Sequence, residues 1–130
     1  MNEEIKQALL SILERDDIQT HREATGGAWG TPGGYYYTIK QNGKAIFKCG
    51  YRKRYSQHSS DLDYYTFVYI AILNPKEDII IQKHLNYGDE YSGTPKEALT
   101  IIKAAEKRYL YDHEDKKRLE FLDQFTQKTK

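Results

Sequence analysis

The dipeptide Asn42-Gly43, set between the β-prone runs Tyr35 to Gln41 and Lys44 to Tyr55, constrains this chain more than any other feature. Asn-Gly in that setting predicts a two-residue type I′ turn, because both residues tolerate positive φ and the turn's twist matches the flanking strands. Such a turn fixes the pairing: Gln41 opposite Lys44, Ile39 opposite Ile46, Tyr37 opposite Lys48 and Tyr35 opposite Gly50. One face of the hairpin would then carry Tyr36, Thr38, Ala45, Phe47, Cys49 and Tyr51 as core. The other would carry Tyr35, Tyr37, Ile39, Lys48, Arg52 and Arg54 toward solvent.

The rest of the chain fits around this hairpin. Residues 1–15 predict an amphipathic helix with Ile5, Ala8, Leu9, Ile12 and Leu13 on its apolar stripe. Ile18 to Glu23 reads as a short strand, and Thr25 to Gly34, dense in glycine around Trp29, reads as a loop. Tyr64 to Leu73 is apolar on both faces, as an interior strand is, and Ile79 to Leu85 supplies its partner. Thr94-Pro95-Lys96-Glu97 starts a helix buried along Ala98, Leu99, Ile101, Ile102, Ala105 and Tyr109. A last helix, Asp112 to Gln127, offers Leu119, Leu122 and Phe125 at a spacing of three. With 130 residues and no linker or repeat, the expectation is a single α+β domain over 1–130: an antiparallel sheet of four to five strands, an N-terminal helix and two C-terminal helices.

Charge is distributed unevenly. The formal net charge is only +1, yet residues 24–60 hold six cations (Lys40, Lys44, Lys48, Arg52, Lys53 and Arg54) and no acid. Residues 1–23 hold three basic and six acidic side chains, so the hairpin is a local positive patch on a nearly neutral chain. Arg52 and Arg54, two apart on a strand, would direct both guanidinium groups the same way, a geometry suited to phosphate.

Catalytic patterns are weak by comparison. The four histidines, His21, His58, His84 and His113, form no pair at helical spacing for zinc. Gly43-Lys44 has no upstream phosphate-loop glycine, and Gly27, Gly30 and Gly33 precede a strand instead of opening a helix. Ser56, His58 and Asp61 crowd one loop without an oxyanion-hole signal. Cys49 falls on the expected core face as a small hydrophobe, and a lone cysteine fits a reducing, cytoplasmic setting. The longest apolar run, Phe67 to Leu73, is too short to span a bilayer, so no membrane partner is expected.

The segment Lys48 to Tyr69 resembles the region around and after the catalytic lysine of PD-(D/E)xK nucleases. That family's chemistry needs an acid two residues before the lysine, where this chain has Ile46. With no carboxylate over residues 24–60, the resemblance implies no nuclease activity, and neither a metal nor a cofactor is expected.

These readings converge on a small non-enzymatic binding module for a phosphate-bearing ligand, a nucleotide or a nucleic acid. Lys48, Arg52 and Arg54 would supply charge, and Tyr35, Tyr37 and Trp29 would stack. The alternative is an inhibitor or regulatory adaptor, of phage or mobile-element type, meeting an acidic protein surface with the same Tyr- and Arg-rich patch. Tyr64 to Leu73 leaves room for a homo-oligomer paired through strands.

Overall fold

The computed structural model describes residues 1–25, 33–53, 65–84 and 96–126. Five strands, β1 (Ile18–Thr25), β2 (Gly34–Gln41), β3 (Lys44–Lys53), β4 (Tyr65–Ile72) and β5 (Asp78–His84), form one antiparallel meander in sequence order. Helix α1 (Glu3–Leu13) precedes the sheet and α2 (Lys96–Leu110) follows it. This is the α+β architecture the sequence predicts.

The C-terminal helices differ in one respect. The break expected before Asp112 is a five-residue π-turn, Tyr111–Asp115, that keeps the helix running into α3 (Lys116–Thr126). No Gly or Pro lies between Lys96 and Thr126 to stop it. The π-turn turns Asp112 and His113 toward β1, where Thr20 donates its hydroxyl to Asp112 (3.0 Å) and His113 Nε2 meets the Thr20 carbonyl (2.8 Å). No helix among the described residues is long and apolar enough to cross a membrane.

Helix α1 is capped at both ends by side chains. Asn2 accepts the Glu4 backbone N–H at 2.6 Å at the start. At the end, Arg108 of α2 donates to the carbonyls of Leu13 (2.7 Å) and Arg15 (2.6 Å), satisfying groups a helix terminus leaves unpaired. Asp112 holds that guanidinium in place at 2.9 Å. Leu9 and Leu13 are buried against α2, whereas Ala8, expected on the same stripe, is exposed.

Both helices cover the same face of the sheet. The core joins Leu9, Leu13, Ile101, Ile102 and Ala105 to Ile18, Tyr37, Ile39, Phe47, Cys49, Tyr51, Val68 and Ile70. The opposite face of β1–β3 carries Gln19, His21, Glu23, Tyr36, Thr38, Lys40, Lys48, Gly50 and Arg52, none of which belongs to that core.

The expected turn forms, with φ of 53° at Asn42 and 78° at Gly43, and Gln41 lies opposite Lys44. Beyond it the expected pairing fails. A β-bulge places Lys40 opposite Ala45 and Ile39 opposite Phe47, leaving Ile46 as the extra residue on β3. Tyr37 then pairs with Cys49, and Tyr36 with Gly50. The flush register would have set Tyr37 and Ile39 of β2 on the opposite face from Phe47, Cys49 and Tyr51 of β3. The bulge unites them, burying Tyr37, Ile39, Phe47 and Cys49 completely. Burying Ile39 in place of Thr38 alone is worth roughly 1.5–3 kcal/mol, enough to offset one irregular pair. The Ile46 carbonyl is not left orphaned, because it accepts the Leu73 N–H at 2.8 Å.

Candidate functional site

The bulge sorts the candidate residues onto two faces. Lys48 and Arg52 point to the open face, as expected. Tyr35 and Tyr37 do not join them, since the register shift turns both toward the helices. Trp29 and Arg54 lie outside the described residues, as do Ser56, His58 and Asp61.

What the open face gains in exchange is Tyr36 and Tyr69. Both lie directly opposite Gly50, one on each neighbouring strand. Their rings meet across the glycine at 6.2 Å between centroids, and Phe67 stacks on Tyr69 at 6.2 Å with an interplanar angle of 17°. A methyl group at position 50 would collide with the Tyr36 ring and approach the Tyr35 carbonyl and Tyr36 Cα at 2.8 Å each. Glycine is therefore what allows the aromatic ridge to cross β3. Tyr36 and Tyr69 are half-buried, whereas Phe67 is buried and supports Tyr69 from one side.

Cations flank this ridge. The Lys48 ammonium lies 5.3 Å from the Tyr36 ring centre, and the Arg52 guanidinium 5.9 Å from that of Phe67. Four residues apart on β3, the backbone positions of Lys48 and Arg52 are about 13 Å apart, with Gly50 and the paired tyrosines between them. Lys40 adds a third cation on β2. Glu23 is the open-face carboxylate on β1, and it reaches Lys48 at 3.3 Å with side-chain exposures of 57% and 30%. An exposed pair of that kind contributes well under 1 kcal/mol and yields readily to a stronger anion.

Tyr35 and Tyr37 serve a different purpose. The Arg22 guanidinium lies between the rings of Tyr35 and Tyr109, 4.1 and 4.4 Å from their centres. Tyr37 and Tyr51 both donate hydroxyl hydrogen bonds to one oxygen of Glu106, at 3.3 and 3.4 Å. Burial, reinforced by the Glu106 carboxylate and by Tyr51, holds the Tyr37 phenol well above its usual range against the opposing pull of Arg22. Every member of this network has a partner, as an anchor joining α2 to β1–β3 requires.

Cys49 is completely buried, and burial pushes its thiol from 9.0 up to about 12. An unfolded chain therefore releases this proton first between those values. The Cys49 contribution to stability is therefore undiminished below pH 9 and weakens as pH rises toward 12. Circular dichroism during alkaline titration is expected to show that decline, with a shallower dependence in Cys49→Ala. A thiol reagent at about pH 8 should label Cys49 only after denaturant is added. Labelling of the native protein at the unfolded rate would contradict this burial.

Among the described residues no cluster of His, Cys, Asp and Glu is built to hold a metal ion. The arrangement provides half-buried aromatic rings flanked by cations on one sheet face. No protein-family model matches the chain, and neither a curated protein nor a solved structure matches it either.

Proposed function

We propose that the open sheet face binds a single-stranded nucleic acid: bases stack on Tyr36 and Tyr69 while Lys48, Arg52 and Lys40 hold phosphates. The observation that carries this reading is the shared placement of those rings and cations on one face, across Gly50. Single-strand binders combine these two elements, since every base has a stackable face and every phosphate a charge. A flat ridge also suits a polymer better than a free nucleotide, which needs a concave pocket to bury its surface. The role is that of a non-enzymatic binding module.

Fluorescence anisotropy with labelled oligonucleotides of mixed sequence tests the proposal. The wild-type protein is expected to bind single strands in preference to duplex, and more weakly as salt rises. Tyr36→Ala combined with Tyr69→Ala should weaken single-strand binding by about 30-fold or more, at about 1–3 kcal/mol for each of the two lost stacks. An acidic protein surface is the competing occupant. Binding that ignores the loss of both rings, or no binding at low salt, refutes the nucleic-acid reading.

A further inference from the structure

The aromatic ridge is one row of a register that crosses the whole sheet. Glu23 lies opposite Tyr36, Tyr36 opposite Gly50, Gly50 opposite Tyr69, and Tyr69 opposite Gln82. A side chain of β1 therefore stands at one end of the ridge and a side chain of β5 at the other, both on the open face. Gln82 is exposed, and 57% of the Glu23 side chain is exposed. The two ends differ in chemistry: Gln82 offers a donor and an acceptor, whereas Glu23 offers two acceptors. A carboxylate weakens a phosphate-binding face unless the ligand gives it something to accept.

We infer that Glu23 reads the base stacked on Tyr36 and that this base is guanine, an inference that rests on the single-strand reading above. Glu23 is close enough to do so. The Lys48 ammonium lies 3.3 Å from its carboxylate and 5.3 Å from the Tyr36 ring centre, so carboxylate and ring border the same space above β2. Directly opposed residues on one face of an antiparallel pair also have Cβ atoms only about 4.5–5.5 Å apart. A base covering the Tyr36 ring projects beyond it and can turn its Watson–Crick edge toward β1. In a single strand that edge is free, whereas a duplex spends it on the partner strand.

Guanine alone fits. Its Watson–Crick edge sets two donors side by side, N1–H and the N2 amino group, which match the two oxygens of a carboxylate. Adenine, cytosine, thymine and uracil each present one donor there, next to an acceptor that meets the second oxygen unfavourably. A site built to accept hydrogen bonds rejects a ligand that lacks the donors, because its own polar group is left desolvated and unpaired. Lys48 gives up Glu23 at little cost, since the pair is exposed, and is then free to take a phosphate. Gln82 can satisfy any base on Tyr69 with one half of its amide or the other, so discrimination falls to the Tyr36 end.

Anisotropy with three labelled single strands tests it: oligothymidine, the same strand with one central guanine, and the same strand with hypoxanthine there, which keeps N1–H and lacks the N2 amino group. The wild type is expected to bind the guanine strand about tenfold more tightly than oligothymidine, as one bidentate base contact provides. The hypoxanthine strand should lose most of that gain. Glu23→Gln, which replaces one acceptor by a donor, should bind all three strands alike, and oligothymidine a few-fold more tightly than the wild type does. Equal wild-type affinities for oligothymidine and the guanine strand overturn the inference while leaving single-strand binding intact. So does a guanine preference that survives Glu23→Gln, or one that hypoxanthine reproduces in full. A wild type that binds none of the three loses this inference together with the reading beneath it.

Discussion

Reversing both flanking cations, Lys48→Glu with Arg52→Glu, is expected to weaken single-stranded oligonucleotide binding by at least about 100-fold at ~0.1 M salt. The change removes two phosphate contacts and adds two repulsions on a face where Glu23 is otherwise the acid of β1–β3. Losing two contacts should also flatten the logarithmic salt dependence by about 1.4, at roughly 0.7 per phosphate for a single strand. Both side chains reach away from the core, so the variant's thermal midpoint should stay near the wild-type value. Glu23→Gln moves the other way: freed from its 3.3 Å carboxylate partner, Lys48 should hold a phosphate a few-fold more tightly. An unchanged salt slope in the double variant would remove the electrostatic half of the proposal.

The second large effect is on the fold itself. Gly50→Val places branched carbon where the Tyr36 ring and the β2 backbone already lie, with Tyr36 Cα and the Tyr35 carbonyl each 2.8 Å from the first added atom. A ring can rotate away, but the backbone of a central strand paired on both sides cannot. Overpacking of this kind costs about 1–3 kcal/mol, or roughly 4–12 °C in melting temperature for a domain of this size. The near-ultraviolet tyrosine signal should change as well, because Tyr36 and Tyr69 no longer meet. Equal melting temperatures for Gly50→Val and wild type would falsify the account of Gly50 as the gap the ridge crosses.

The fold was largely legible in the sequence. Helix spacing over Ile5 to Leu13 and Ala98 to Ala105 predicts the two packed helices, and the Asn42-Gly43 turn predicts the central hairpin. The candidate face was legible only by half. Lys48 and Arg52 are correctly placed, because β3 alternates Phe47, Cys49 and Tyr51 against Lys48, Gly50 and Arg52 without ambiguity.

The strand β2 is where the reading failed. Four of its residues, Tyr35, Tyr36, Tyr37 and Thr38, satisfy either face nearly as well as the other. Turn geometry alone therefore settled the choice, and a bulge overrode it. The available signal was Ile39, which has no polar group and cannot sit comfortably beside Lys48. Weighting that residue above the ideal register would have turned Tyr37 inward and Tyr36 outward. Tyr69 was missed for a related reason: the run from Tyr65 to Ile72 is apolar on both sides, so nothing in it marks which ring meets solvent.

The π-turn was illegible on other grounds. Tyr111 to Asp115 contains neither glycine nor proline, and what sets it apart in the fold is that Asp112 and His113 both bond to Thr20. Those contacts join residues 92 and 93 positions apart and leave no local trace.

Ile46, the extra residue of β3, makes the outward chemistry of this protein a matter of parity. Removing it, or adding one residue beside it, would exchange the two sides of every residue on one strand relative to the next. Adding or removing two would leave both sides as they are. Changes of length in this hairpin are therefore tolerable in even steps and ruinous in odd ones, whatever the residues involved.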